Sequence, residues 1–262
     1  MADSIEVAFP ADRRLRVLGH RAATHDFAEL ERANLEALAE MLQPGMFVFD
    51  VGTEHGEFAA FAASIVGDCR VHCFEPTPRH WPSIRATFEA NGLTPGGCWP
   101  GFVADAKRPG WREHMPGGTL VNWPAAVALD PLIDQTHHSV VIERPDLPAI
   151  TLDTYAAITG VAPDVITIDV EGAEVLVLDG ARAMLETARP IVHVSIHPPD
   201  FLARFPCPHR IVNQRPESAR RMPWGCEQEQ VFRIMAEHDY VARFLSHDHE
   251  THWQFLPAER AR

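Results

Sequence analysis

The residues of this chain best equipped for chemistry are carboxylates placed where short apolar runs end. Asp50 and Glu54 sit in VFDVGTEHGEF, a glycine loop that also holds Gly52, Thr53 and Gly56; Glu75 closes RVHCFEP, Asp105 closes GFVADA, and Asp169 and Glu171 flank the turn of ITIDVEG. A dinucleotide fingerprint needs a glycine in the middle of such a loop so that backbone amides approach a pyrophosphate. Here Glu54 takes that place, and its charge would repel a pyrophosphate in a poorly solvated site. That opposes an NAD-dependent oxidoreductase. A ligand that offers cations and hydroxyls instead of phosphates suits the loop. S-adenosylmethionine is such a ligand, with an ammonium, a sulfonium, a ribose diol and an adenine amino group. The expected cofactor residues are Asp50, Gly52, Thr53 and Gly56 around the loop, Glu75 accepting from the ribose hydroxyls, and Asp105 accepting from the adenine amino group. Each of these carboxylates has an alternative reading as a solvated strand end; their recurrence at successive strand ends favours the ligand.

The strands and helices that carry these residues follow from apolar periodicity. Short buried runs alternate with helical patterns, the signature of βα units around a mainly parallel sheet. MFVFDV is the first strand, RVHCFEP the second, GFVADA (Gly101 to Ala106) the third, DVITID the fourth and PIVHVSIHP the fifth. Helices are predicted over 56–66, with small residues that let it lie close on the sheet, and over 79–91, 174–186 and 227–238. YVARFLSHDHETHWQFLP reads as a terminal hairpin. Residues 1–44 read as an appendage, a polar arm followed by a helix over 26–42, and residues 45–262 as the main domain. Within that domain, 107–150 reads as an insertion with a strand near Ser139 to Ile142, and 198–226 as a lid-like stretch.

Composition narrows the partners. The chain has 262 residues, 46% of them hydrophobic, enough for one large core. Its 36 acidic against 23 basic residues give a formal charge of −13 with no basic run, which argues against nucleic acid and anionic membranes as partners. The first residues lack the basic and apolar regions of a signal peptide and no stretch approaches a membrane span, so a soluble, cytoplasmic protein is expected. Five cysteines without a CxxC pair argue against both a disulfide framework and a cysteine zinc site.

The ordered series VFDVGTEHGEF, VHCFEPTPRHWPSIRATFEANGL, ITLDTYAAI and DVITIDVEGAEVLVLDGARAML resembles the FkbM family of S-adenosylmethionine-dependent methyltransferases, over about residues 46–196. The resemblance implies the Rossmann-like class I methyltransferase fold, a seven-stranded sheet with an antiparallel last strand, and usually methylation of a hydroxyl. It also implies that the IDVEG turn lines the reaction centre. Asp169 is then expected to position the acceptor hydroxyl, bind a metal or act as base; the scaffold alternative is that it holds the turn through backbone amides, with Glu171 and Glu174 favouring a helix N-terminus. Two departures stand out: Thr53-Glu54 replaces the common Ala-Asn, and Thr167 replaces a lysine, which suggests an altered substrate side.

Methyl transfer to oxygen needs an in-line approach and a way to remove a proton. His193 and His197 point to one face of the fifth strand, and His197, at its carboxyl end, is the second candidate base. His247, His249 and His252 of HDHETH could close over His197 to build a metal site with Asp169, although no zinc spacing is matched. Trp111, Trp123 and Trp224 fall in segments expected to border the acceptor, here a small molecule such as a sugar or polyketide. The rival readings are an N-methyltransferase and a noncatalytic binding protein that kept the cofactor fold.

Overall fold

A computed structural model describes residues 3–114, 123–124, 146–197, 226–247 and 250–261. The chain opens with an antiparallel hairpin, β1 (Ser4–Phe9) and β2 (Arg13–Leu18). The central sheet is formed by β3 (Val48–Val51), β4 (Val71–Phe74), β5 (Gly97–Trp99), β8 (Val165–Ile168), β9 (Ile191–Ile196), β10 (Tyr240–His247) and β11 (Thr251–Pro257). Between them, β6 (Phe102–Val103) and β7 (Ala149–Ile150) pair in parallel as a separate two-stranded element. The seven central strands run in the order β5-β4-β3-β8-β9-β11-β10. β3, β4, β5, β8 and β9 are parallel, and β11 is antiparallel to both its neighbours. This is the Rossmann-like α/β sheet expected from the sequence. From β3 the chain steps outward through β4 and β5 and then returns to the other side of β3 with β8, so the strand order reverses between β3 and β8, where open α/β sheets bind ligands.

Alternation along these strands sorts their side chains onto two faces. Phe49, Val51, Ile166, Ile168, Val192 and Val194 face one apolar core. Val48, Val165 and Ile191 face the other, together with the alanines of the helix Glu57–Val66. On this second face the rows change character toward the carboxyl ends: Val48 is followed two residues on by Asp50, Val165 by Thr167, and Ile191 by His193. One face of the sheet is therefore apolar apart from His72, which meets the Tyr155 hydroxyl at 2.8 Å, and the other is half polar.

The N-terminal segment is not a detached arm. Phe9, Leu15 and Val17 are buried in the second core, and Phe9 lies 5.2 Å from Phe27 and 5.8 Å from Phe61, ring centre to ring centre. The apolar residues of β1 and β2 alternate with charges, a pattern too short to register as a strand pair in a polar stretch. The helix predicted over 26–42 begins later, at Arg32–Met41, because Glu31 takes a left-handed φ of 43° and breaks the turn before it. Gly101 to Ala106 is not the third strand of the central sheet; Gly97–Trp99 is, and the later apolar pair turns away to β7. The helix expected over 174–186 is two helices, Glu174–Asp179 and Arg182–Thr187. Both carboxylate oxygens of Asp153 accept from the free amides of the second helix, Ala183 at 3.0 Å and Met184 at 2.8 Å, which gives ITLDTY a structural task. Gly180 lies between the two helices because a Cβ there would sit 2.1 Å from the carbonyl oxygen of Ala104. The strand expected near Ser139 to Ile142 and the lid-like stretch lie outside the described residues. No helix among the described residues is long and apolar enough to cross a membrane.

Trp253 of β11 is fully buried, edge-on to Phe232 at 4.9 Å and to Phe244 at 5.2 Å, and so fastens the terminal hairpin to the sheet and to the helix Cys226–Glu237. Trp253→Ala should cost about 3–5 kcal/mol through lost burial and the cavity left behind. A thermal melt followed by circular dichroism should show the midpoint fall by about 6–20 °C; an unchanged midpoint would mean that the hairpin contributes little to the fold.

Candidate functional site

The polar half of the sheet face opens into a cavity of about 470 Å³ at the carboxyl ends of β3, β4, β8 and β9. Asp50, Gly52, Thr53, Glu75, Asp169 and His197 line it; Gly56 and Asp105 do not. Gly56 instead starts the helix Glu57–Val66 with φ 86°, and a side chain there would press on Ile84. Asp105 is exposed beyond β6, 3.8 Å from Arg108, while Phe102 and Val103 of the same segment reach the cavity.

The loop after β3 is shaped by Gly52, with φ 91°, where a Cβ would overlap the carbonyl oxygen of Asp169. Close approach of the two loops at the switch point thus requires glycine. Thr53 turns its hydroxyl back to donate to the carbonyl of Asp50 at 2.8 Å. The next residue, Glu54, is left-handed (φ 50°), which aims its amide at Glu75 Oε2, 2.9 Å away. The other oxygen of Glu75 accepts from the amide of Thr77 at 2.7 Å. Two amides therefore hold this buried carboxylate at the cavity wall, and His80 Nδ1 stands 3.4 Å from Oε1.

Asp50 is paired in register with Thr167 across β3 and β8. The Thr167 hydroxyl donates to Asp50 Oδ1. Asp50 Oδ2 is buried with no hydrogen-bond partner among the described residues. Burial pushes the Asp50 carboxyl up to about 6, against the bonds from Thr167 and Thr53.

The far end of the cavity is organised by His197. Its Nδ1 lies 2.9 Å from Glu174 Oε1, and Glu174 is itself buried and accepts from the amide of Gly172. Its Nε2 faces Glu250 at 2.7 Å, Glu171 at 3.6 Å and Asp169 at 3.7 Å. Burial alone would lower the imidazole, but the bonds and charges of Glu174 and Glu250 override it and push His197 up to about 12. This shift favours the imidazolium form of the ring. Asp169 keeps 44% of its side-chain accessibility by opening onto the cavity, yet its enclosure by protein atoms and the Glu250 carboxylate hold it well above the usual carboxylate range.

Sequence reasoning anticipated that the terminal turn would close over His197, but with the wrong residues. β11 runs antiparallel to β9 with Thr251 opposite Ile196 and His252 opposite Ser195, so continuing the register by one residue brings Glu250, not a histidine, to His197. His252 turns inward to Ser195 at 3.0 Å, His247 ends β10, and His249 lies outside the described residues. His193 is neutral, pushed down to about 3 by burial and then by Arg243, and links Asn34 to Gln254. The N-terminal segment supplies wall residues that the sequence did not signal: Arg21, His25, Glu31 and Asn34. Arg21 Nε is bonded to the buried Glu57 at 2.8 Å, and its Nη2 is 3.6 Å from Glu54. Trp81, Trp99 and Trp253 are core residues; Trp123 packs 6.0 Å from Phe88, and Trp224 lies outside the described residues.

Two groups among the described residues bring three ligand-type atoms within 4.8 Å of one another: Asp169, His197 and Glu250 inside the cavity, and Glu54, His55 and His80 at its rim. At the rim, the guanidinium of Arg21 stands beside Glu54 and disfavours a further cation.

Among solved structures the fold is similar to methyltransferase FkbM from Methylobacillus flagellatus KT, at 15% identity over 84% of this chain and 50% of that one, with a TM-score of 0.46. It is also similar to precorrin-6y C5,15-methyltransferase from Geobacter metallireducens GS-15, at 12% identity over 88% of each chain and a TM-score of 0.43. A third is the tRNA (uracil-54, C5)-methyltransferase of Pyrococcus abyssi in complex with S-adenosyl-L-homocysteine, at 11% identity over 97% of this chain and 44% of that one, with a TM-score of 0.45. The chain thus spans half the length of the first and less than half of the third. No curated protein matches the sequence. Residues 50–245, most of the chain, match the model of the methyltransferase FkbM domain, and the chain belongs to that family.

Proposed function

We propose that this protein transfers a methyl group from S-adenosylmethionine to a hydroxyl of a small-molecule acceptor. The observation that carries the cofactor half of this reading is the buried, unpartnered Asp50 Oδ2 at the switch point of a carboxylate-lined cavity. An ammonium supplies the donor and the positive charge that this oxygen lacks. The fixed carboxylate of Glu75, one strand over, suits a ribose diol. When bound, held by Asp50 and Glu75, the cofactor would supply an electrophilic methyl on a sulfonium for transfer to the acceptor oxygen.

The chain's own contribution is to bind, orient and take one proton. Asp169 stands at the end of β8 beside the Gly52 loop, its amide bonded to the carbonyl of Val51 at 2.9 Å, and its raised carboxyl is a stronger base than an ordinary aspartate. The His197 imidazolium holds Asp169, Glu171 and Glu250 together against their mutual repulsion. An amine acceptor would need a base less; the clustering of carboxylates around His197 favours oxygen. The net charge of −13 and the acidic cavity wall favour a neutral or cationic acceptor over a polyanion.

Two measurements test this. Asp50 must be ionised to hold the ammonium, and its folded value near 6 sets the window. Cofactor affinity should be flat above pH 7 and fall as pH drops through 6, reaching about tenfold weaker at pH 5, at about 1.36 kcal/mol per unit. The same raised value makes the ligand-free fold lose stability as pH rises from 4 to 6, the opposite sign. Isothermal titration at pH 5 and 7.5 on the wild type and on Asp50→Asn checks it: the variant should bind weakly with no such dependence, and equal dependence in both would remove Asp50 from the cofactor site.

Asp169→Asn should lower turnover by roughly 10²–10⁴-fold and leave S-adenosylmethionine affinity within about threefold. The assay is labelled-methyl transfer to a panel of hydroxylated sugars and polyketides. Wild-type turnover in the variant would exclude Asp169 as the base.

A further inference from the structure

We propose that Asp169, His197 and Glu250 form a binding site for one hard divalent cation of the magnesium or manganese class. The reason is a mismatch between donors and acceptors at a single atom. His197 Nε2 has carboxylate oxygens of Glu250, Glu171 and Asp169 at 2.7, 3.6 and 3.7 Å. A proton on that nitrogen points along one direction and serves one of the three. A divalent ion in its place, bound to the nitrogen lone pair, answers several oxygens at once and offsets more of their charge.

The other side of the ring carries an independent sign. Metal-bound histidines donate their second N–H to a carboxylate or carbonyl, which fixes the tautomer and the ring plane. His197 Nδ1 does this with Glu174 at 2.9 Å. Glu174 is 1% exposed, and the Gly172 amide in turn fixes its Oε1. Nε2 is thereby turned toward the cavity. The three ligand atoms come from the ends of β8 and β9 and the turn before β11, and they lie within 4.8 Å of one another. One imidazole among carboxylates is a hard, oxygen-rich set, without the thiolates or multiple imidazoles that select zinc or copper.

The use of the ion rests on the methyl-transfer reading. At this place it would polarise an acceptor hydroxyl and lower its pKa, with Asp169 giving one oxygen to the ion and the other to the departing proton. Binding itself does not depend on that reading, and the test keeps the two apart. Chelator-treated protein is titrated with Mn²⁺ while the electron paramagnetic resonance signal of the free ion is followed, and separately with S-adenosylmethionine by calorimetry. Expected are one Mn²⁺ per chain, loss of that binding by more than about tenfold in Glu250→Gln and Asp169→Asn, and about 10–100-fold weakening in Glu174→Gln, all in variants with wild-type circular dichroism. Mg²⁺ should displace the bound Mn²⁺. Cofactor binding that persists with chelator, together with no uptake of Mn²⁺ or uptake that Glu250→Gln and Asp169→Asn both leave unchanged, overturns the cation site and leaves the methyl-transfer reading standing. Mn²⁺ bound as expected but no cofactor binding would do the reverse.

Discussion

One register governs this molecule: the parallel pairing of β3 with β8 that sets Asp50 opposite Thr167. It puts the two loops that follow these strands in contact, so tightly that position 52 admits no side chain. It also aligns the polar ends of neighbouring strands on one face. Slipping the pairing by one residue would exchange Val51 and Ile168 for Asp50 and Thr167 on the apolar side, burying a carboxylate among aliphatic groups. The cavity and the core therefore specify each other: the face that must be dry fixes the register, and the register decides which residues meet the ligand.

Charge is managed differently at the two ends of the cavity. Near β3 and β4 the carboxylates are tied to backbone amides and hydroxyls, with one oxygen of Asp50 left over. Near β8, β9 and β11 they gather around a single imidazole. The first arrangement keeps a fixed negative wall ready for a cationic ligand at little reorganisation cost. The second concentrates negative charge around His197, where burial and then the Glu250 carboxylate raise the Asp169 carboxyl.

The sheet and its switch point were legible because they arise from local patterns: four-residue apolar runs, a glycine loop and acidic strand ends. Asp50, Gly52, Thr53, Glu75, Asp169 and His197 could be placed from their own neighbours in sequence. Asp105 could not, since an apolar pair such as Phe102–Val103 does not say which sheet it joins. What escaped is long range. Arg21, Glu31 and Asn34 reach the cavity only because the N-terminal hairpin shares a core with β3 and its helix, and Glu250 reaches His197 only through the pairing of β11 with β9. A faint signal for Glu250 did exist, since in THWQF alternation puts residues 250, 252 and 254 on one face, but histidines drew attention to themselves within the same turn. The broken helix at Gly180 had its cause in Asp153, a cap supplied from another element.

The wall of the cavity is in this way assembled from two sources. The stretch from residue 50 to 245 contributes the floor, whereas Arg21, Glu31, Asn34 and Glu250 arrive from the two ends of the chain, which meet across β9 and β11 where His193 joins Asn34 to Gln254. Substitutions at Glu31 or Asn34 would reshape what the cavity accepts without touching a hydrogen bond of β3, β4 or β8. The two ends of the polypeptide thus build part of the cavity wall, and a fragment trimmed to the matched stretch would lose that wall together with β11, the strand that joins β9 to β10 in the central sheet.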